Sequence, residues 1–118
     1  ITEDVSASDT LCFIRVGGKD TTTFSMAVDG SDVSGSLNWV PYEKDSRVGT
    51  WKGKKNGNII KGTWYYMQEG MNDSLAIDFM LDGDKLRQKK TKFDETVGRE
   101  VLDENSGYEL VYDRTTCE

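Results

Sequence analysis

Histidine is absent from the 118 residues of the chain. A Ser-His-Asp triad, a Cys-His pair, an imidazole general base and any histidine metal ligand are therefore excluded by inspection, and most familiar hydrolase chemistry goes with them. Proline occurs once, at Pro41, and cysteine only twice, at Cys12 and Cys117. No apolar run approaches the roughly 18–20 residues that a helix needs to cross a bilayer, and the chain opens without a methionine or the apolar stretch of a signal peptide. It reads as a mature or trimmed segment whose first ten residues, small, polar and acidic, form a solvated tether leading into the first strand. Basic residues are in the minority, 15 against 21 acidic, for a net charge of -6. A chain of that sign is repelled by phosphate backbones and anionic lipid, so no nucleic-acid partner is expected.

What is present is alternation. Apolar and polar residues exchange with period two, and turn signals recur at short intervals, which is the pattern of a sandwich or barrel rather than of βαβ units. Eight strands are expected, at residues 11–16, 22–28, 33–40, 48–54, 58–67, 74–81, 85–90 and 108–113. Residues 94–104 stand apart: Val97, Val101 and Leu102 are spaced for one short amphipathic helix, which Gly98 weakens, or for a further short strand. The alternation turns Phe24, Met26, Leu37, Trp39, Trp51, Ile60, Trp64, Tyr66, Leu75, Ile77 and Phe79 to one face, so all three tryptophans point inward. Strand glycines Gly35, Gly53 and Gly62 mark bends or close approach in a strongly curved sheet. The length fits one domain, residues 11–118 after the tether. The fold class is all-β, a single antiparallel up-and-down barrel of lipocalin-like shape.

In such a barrel the first and last strands are neighbours, which makes a Cys12–Cys117 disulfide geometrically natural and implies an oxidising compartment. The alternative is two unrelated thiols. Connections sort by rim: 29–32, 55–58 and 82–84 carry short hairpin signals, while 17–21, 41–47 and 68–73 are longer and surround one mouth. On that mouth lie Tyr42, Glu43, Lys44, Asp45, Met67 and Glu69. Two of those carboxylates suit a hard cation or a cationic partner group, although no Asp-x-Asp-x-Asp-Gly calcium loop is present and a solvated loop is the plainer reading. No metal or cofactor is expected. Trp39, Trp51, Trp64, Tyr66 and Phe79 form the barrel interior, and so many large rings favour an interior filled by its own side chains over one that holds a ligand. The basic run from Lys85 to Lys92 alternates so that Arg87 and Lys89 face outward, as protection for a sheet edge.

The segments Val33-Ser34-Gly35-Ser36-Leu37-Asn38-Trp39, Tyr42-Glu43-Lys44-Asp45, Gly49-Thr50-Trp51-Lys52-Gly53 and Gly62 to Gly70, with its Met-x-Glu-Gly turn, resemble a family of small secreted lipoproteins of Bacteroidetes-type bacteria. The resemblance covers roughly residues 11–86. It implies a lipidated cysteine upstream of this segment and a place in the cell envelope, periplasm or outer membrane, with membrane association through that anchor alone. The resulting expectation is a non-enzymatic, secreted or envelope-associated barrel that binds a small ligand or an envelope protein at its long-loop rim. The alternative is an inhibitor of another protein, of the lysozyme-inhibitor kind, or a structural envelope component.

Overall fold

The computed structural model describes residues 10–42 and 45–117, and the expected tether at residues 1–9 lies outside them. Ten strands follow one another: β1 (Thr10–Gly17), β2 (Asp20–Asp29), β3 (Asp32–Val40), β4 (Arg47–Asn56), β5 (Ile59–Gln68), β6 (Met71–Asp82), β7 (Lys85–Lys89), β8 (Thr91–Asp94), β9 (Arg99–Leu102) and β10 (Tyr108–Thr115). Eight of them close an antiparallel barrel in the order β1-β10-β7-β6-β5-β4-β3-β2, and β8 and β9 form a separate two-stranded hairpin.

The inward alternation holds around the barrel. Phe13, Phe24, Met26, Val33, Leu37, Trp51, Ile60, Ile77, Phe79, Leu86 and Tyr112 are fully enclosed. Phe24 stacks on Phe79 with centroids 4.8 Å apart, and Trp51 meets both rings edge-on at 5.6 and 5.5 Å. The indole of Trp51 has room because Gly53 and Gly62 sit opposite each other across β4 and β5. A Cβ at either glycine would stand 2.2 Å from a backbone carbonyl and within 2.6 Å of that indole. Its ring nitrogen donates to the Ile77 carbonyl at 3.1 Å, which satisfies the one polar atom the side chain carries inward.

The wall is uneven. β5 and β6 pair without interruption from Ile59↔Met80 to Gln68↔Met71. β7 joins β6 only between Phe79↔Gln88 and Asp82↔Lys85, and β1 meets β10 only from Cys12↔Thr115 to Ile14↔Asp113. Cys12 and Cys117 are disulfide-bonded beside that closing seam, across 105 residues of sequence. The bond therefore ties the strands that backbone pairing holds least.

Residues 94–104 are not helical. Asp94 caps a turn, accepting from the Thr96 N–H at 2.9 Å through its side chain and from the Gly98 N–H at 2.8 Å through its carbonyl, with Gly98 at φ 71°. That left-handed glycine reverses the chain, and β-branched Thr91, Val97 and Val101 flank it, so a hairpin forms where a helix was the other option. Two of the three supposedly long connections are also tight. Residues 68–73 contain a two-residue turn in which Glu69 (φ 54°) and Gly70 (φ 77°) both adopt the left-handed conformation of a type I′ hairpin, and 17–21 narrows to Gly18-Lys19. Only the β3–β4 connection is long. The two-rim division by parity nevertheless stands: one end has the 30–31, 57–58 and 83–84 turns, the other the 18–19 turn, the β3–β4 loop, the 69–70 turn and the hairpin.

Nor is β7 a sheet edge, since β6 and β10 flank it. Four of the five basic residues between Lys85 and Lys92 are instead taken up in local pairs: Lys85 with Asp113, Arg87 with Asp82, Lys89 with Glu104 and Lys90 with Glu109.

Candidate functional site

The interior changes character along the barrel axis. Toward the mouth the inward positions become polar: Arg15 follows Phe13 on β1, Thr22 precedes Phe24 on β2, Arg47 precedes Gly49 and Trp51 on β4, and Gln88 follows Leu86 on β7. Packing stops there, and a cavity of about 260 Å³ remains. Its apolar walls are Leu37, Trp39, Trp64, Leu75 and Ile77, and Tyr112 forms part of its lining. The interior is thus closely packed in one half and opens into a cavity toward the mouth in the other, so the expected filled interior holds around Trp51 and Phe79.

The hairpin finishes the cavity. Above Asp78, β6 has no β7 partner, and β9 lies beside it: Arg99 donates to the Asp73 carboxylate at 2.9 Å and to the Ser74 carbonyl at 2.6 Å. The Ser74 N–H first, and Arg99 second, hold the Asp73 carboxyl below its ordinary range. From this position the hairpin contributes Glu100 and Thr91 to the lining. One Glu100 oxygen accepts from Arg47 at 2.9 Å and the other from Thr91 Oγ1 at 2.5 Å. Arg47 also donates through Nε to Gln68 at 3.2 Å, and its guanidinium lies 4.9 Å from the centre of the Tyr66 ring and 5.6 Å from that of Trp39. Burial pushes the Tyr66 phenol up, with Arg47 pulling the other way. Deeper in, Tyr112 donates to Gln88 Oε1 at 2.5 Å, and burial raises its phenol far above the ordinary tyrosine value. Trp64 spends its ring N–H on the Leu37 carbonyl at 2.8 Å, leaving its face to the cavity side.

The sequence-predicted site residues fall into three groups. Trp39 and Trp64 line the cavity; Trp51 and Phe79 belong to the filled half, and Tyr66, one inward position nearer the mouth than Trp64, packs against it at 4.6 Å. Tyr42, Asp45, Met67 and Glu69 are exposed on the outside of the mouth and do not line the cavity. Glu43 and Lys44 lie outside the described residues. Asp45 does reach Glu69: a hydrogen bond between the two side chains, and then the Asp45 charge, raise the Glu69 carboxyl above its ordinary value. Among the described residues no three potential ligands gather in a way that would hold a metal ion. Asp78 is a further perturbed carboxyl, raised by burial, but it stands on the outer wall beside Lys61 and Lys89 and is remote in role from the cavity.

The outer surface at the mouth is apolar. Val16, Val40, Tyr42, Val48, Tyr65, Met67, Met71, Phe93 and Val97, between 48% and 71% exposed, all belong to the mouth half or its hairpin. No large hydrophobic among the described residues is exposed at the opposite end, where Lys54 pairs with Asp32 and Arg87 with Asp82. Arg15, Arg47, Gln88 and Glu100 escape a reading by hydrophobic periodicity because they are polar residues at inward positions. Extending the alternation of β2 and β4 by one step toward the mouth would have reached Thr22 and Arg47. No protein-family model, curated protein or solved structure matches the chain.

Proposed function

We propose that this barrel is a binding domain that takes a small ligand into the hollow half of its interior through the mouth, without catalysing its conversion. The cavity carries the reading. It combines several apolar walls with a few convergent polar groups, the composition of small-molecule sites, and at about 260 Å³ it lies just below the roughly 300–1,000 Å³ usual for drug-sized ligands. The disulfide is consistent with work in an oxidising compartment and so with the envelope or secreted location that the sequence resemblance implies.

Thermal-shift screening with small aromatic and aliphatic compounds tests the reading, with tryptophan fluorescence as a second readout because Trp39 and Trp64 line the cavity. A true ligand at a hundred times its Kd stabilises the fold by about 2.7 kcal/mol. Leu75→Trp, which places a ring in the cavity, abolishes binding if the site is right and leaves it intact if the ligand binds elsewhere. Silence across the screen refutes the proposal.

A second reading is favoured by the apolar collar around the mouth: a docking surface for an envelope protein, either as inhibitor or as structural component. Met67→Lys with Met71→Lys separates the two, because it disrupts docking on the collar and leaves the cavity walls untouched.

A further inference from the structure

Three charged side chains line the cavity: the guanidiniums of Arg15 and Arg47, and the carboxylate of Glu100. Arg47 and Glu100 neutralise each other at 2.9 Å; Nε of Arg47 also donates to Gln68, and the second oxygen of Glu100 accepts from Thr91. Among the described residues no carboxylate is paired with Arg15. The lining is therefore positive by one charge in a chain whose net charge is -6.

We infer that the ligand is a small monoanionic amphiphile, an aromatic or short aliphatic carboxylic acid, whose carboxylate pairs with Arg15 while its apolar body lies between Trp39, Trp64, Leu37, Leu75 and Ile77. This rests on the cavity being the binding site. Charge selects the head group. A half-buried guanidinium against apolar walls is stabilised by an anion, and Arg offers the forked donors that a carboxylate accepts in pairs. A cation is repelled by Arg15, and a dianion would set its second charge against Glu100. Size selects the body: an enclosed apolar space of roughly 150 Å³ accommodates benzene, so about 260 Å³ admits a ring with a short chain and excludes a long acyl tail. The Arg47–Glu100 pair itself displays the recognition in question, a carboxylate delivered to a cavity guanidinium, here on a tether formed by the hairpin.

Three probes of one shape test this: phenylpropionate, phenylpropanol and phenylpropylamine, titrated calorimetrically into the whole chain with its disulfide intact. The acid is expected to bind about tenfold more tightly than the alcohol, the amine more weakly than either, and the acid's advantage to shrink as salt is raised. Arg15→Gln brings the ratio of acid to alcohol close to one. Glu100→Gln, which removes the resident carboxylate, increases the acid's affinity several-fold, whereas a merely structural Glu100 would lower it. Equal binding of acid and alcohol, or preference for the amine, overturns the assignment and leaves the cavity reading standing. Failure of all three to bind overturns both. Should Arg15→Gln fail to fold, the salt dependence of the acid against the alcohol in the unaltered protein decides between the same outcomes.

Discussion

The two ends of this barrel are built from the same strands, yet one is solid and the other hollow. In the solid end Phe24, Trp51 and Phe79 interlock around the Gly53–Gly62 seat, and the rim is closed by tight turns and surface ion pairs. In the hollow end Thr22, Arg15, Arg47 and Gln88 occupy the corresponding inward positions, a hairpin replaces missing sheet, and the outer wall is apolar. Close packing and open space are thus segregated along one axis. The cavity can be kept open because the other half supplies the core.

The sharpest test of that division is a pair of tryptophan truncations. Trp51→Ala in the solid half removes an enclosed ring from a packed cluster and is expected to cost about 3–5 kcal/mol in urea unfolding. Trp39→Ala, half-buried beside the cavity, is expected to cost less than about 1 kcal/mol and to change ligand binding instead. Equal costs would mean that the two ends share one core after all.

Reduction of the disulfide ranks next. Because β1 and β10 pair only from Cys12↔Thr115 to Ile14↔Asp113, the bond is expected to contribute about 2–4 kcal/mol, read as a lowered Tm in the presence of a reductant or in the double Cys→Ser variant. An unchanged Tm would show that the seam holds without it.

Alkaline titration probes the boundary between the halves. Tyr112 has a folded-state pKa raised by burial, so the stability tied to its protonated form is complete below the unfolded tyrosine value near pH 10. It is lost as the pH climbs from there toward the higher folded value, at up to roughly 1.4 kcal/mol per pH unit for this one group. Tyr112→Phe is expected to flatten that decline while losing the hydrogen bond to Gln88, worth about 1 kcal/mol at neutral pH. An alkaline slope that survives the substitution would assign it to Tyr66 and Tyr108, whose phenols burial also raises.

The solid half and the apolar walls of the cavity were legible in the sequence, and the cavity's polar lining was not, for a physical reason. Period-two alternation of apolar residues is a signal about dry surface, and it identified Phe24, Met26, Trp51, Ile60, Phe79 and the eight-strand closure, and through closure the Cys12–Cys117 pair. It is silent where an inward residue is an arginine or a glutamine, and so it stopped one step short of Thr22 and Arg47. The Arg47–Glu100 pair joins residues 53 apart in the chain through a hairpin of two four-residue strands, too short for any periodicity to declare. The rim carboxylates Asp45 and Glu69 are conspicuous in the local sequence, but the fold leaves them outside the cavity.

Those carboxylates carry the smallest effect. Asp45 and Glu69 come from the β3–β4 loop and the β5–β6 turn, and their hydrogen bond is strongest when one proton is shared between them. Glu69, raised in the folded state, therefore favours the native mouth below the ordinary glutamate value, and that contribution disappears as the pH rises through the raised one. Both carboxylates are exposed to solvent, so Asp45→Asn is expected to leave the unfolding midpoint unchanged while returning the Glu69 carboxyl to its ordinary range in an NMR titration. If Glu69 titrates alike in both proteins, the loop and the turn are independent, and the mouth has no pH-dependent contact across this part of its rim.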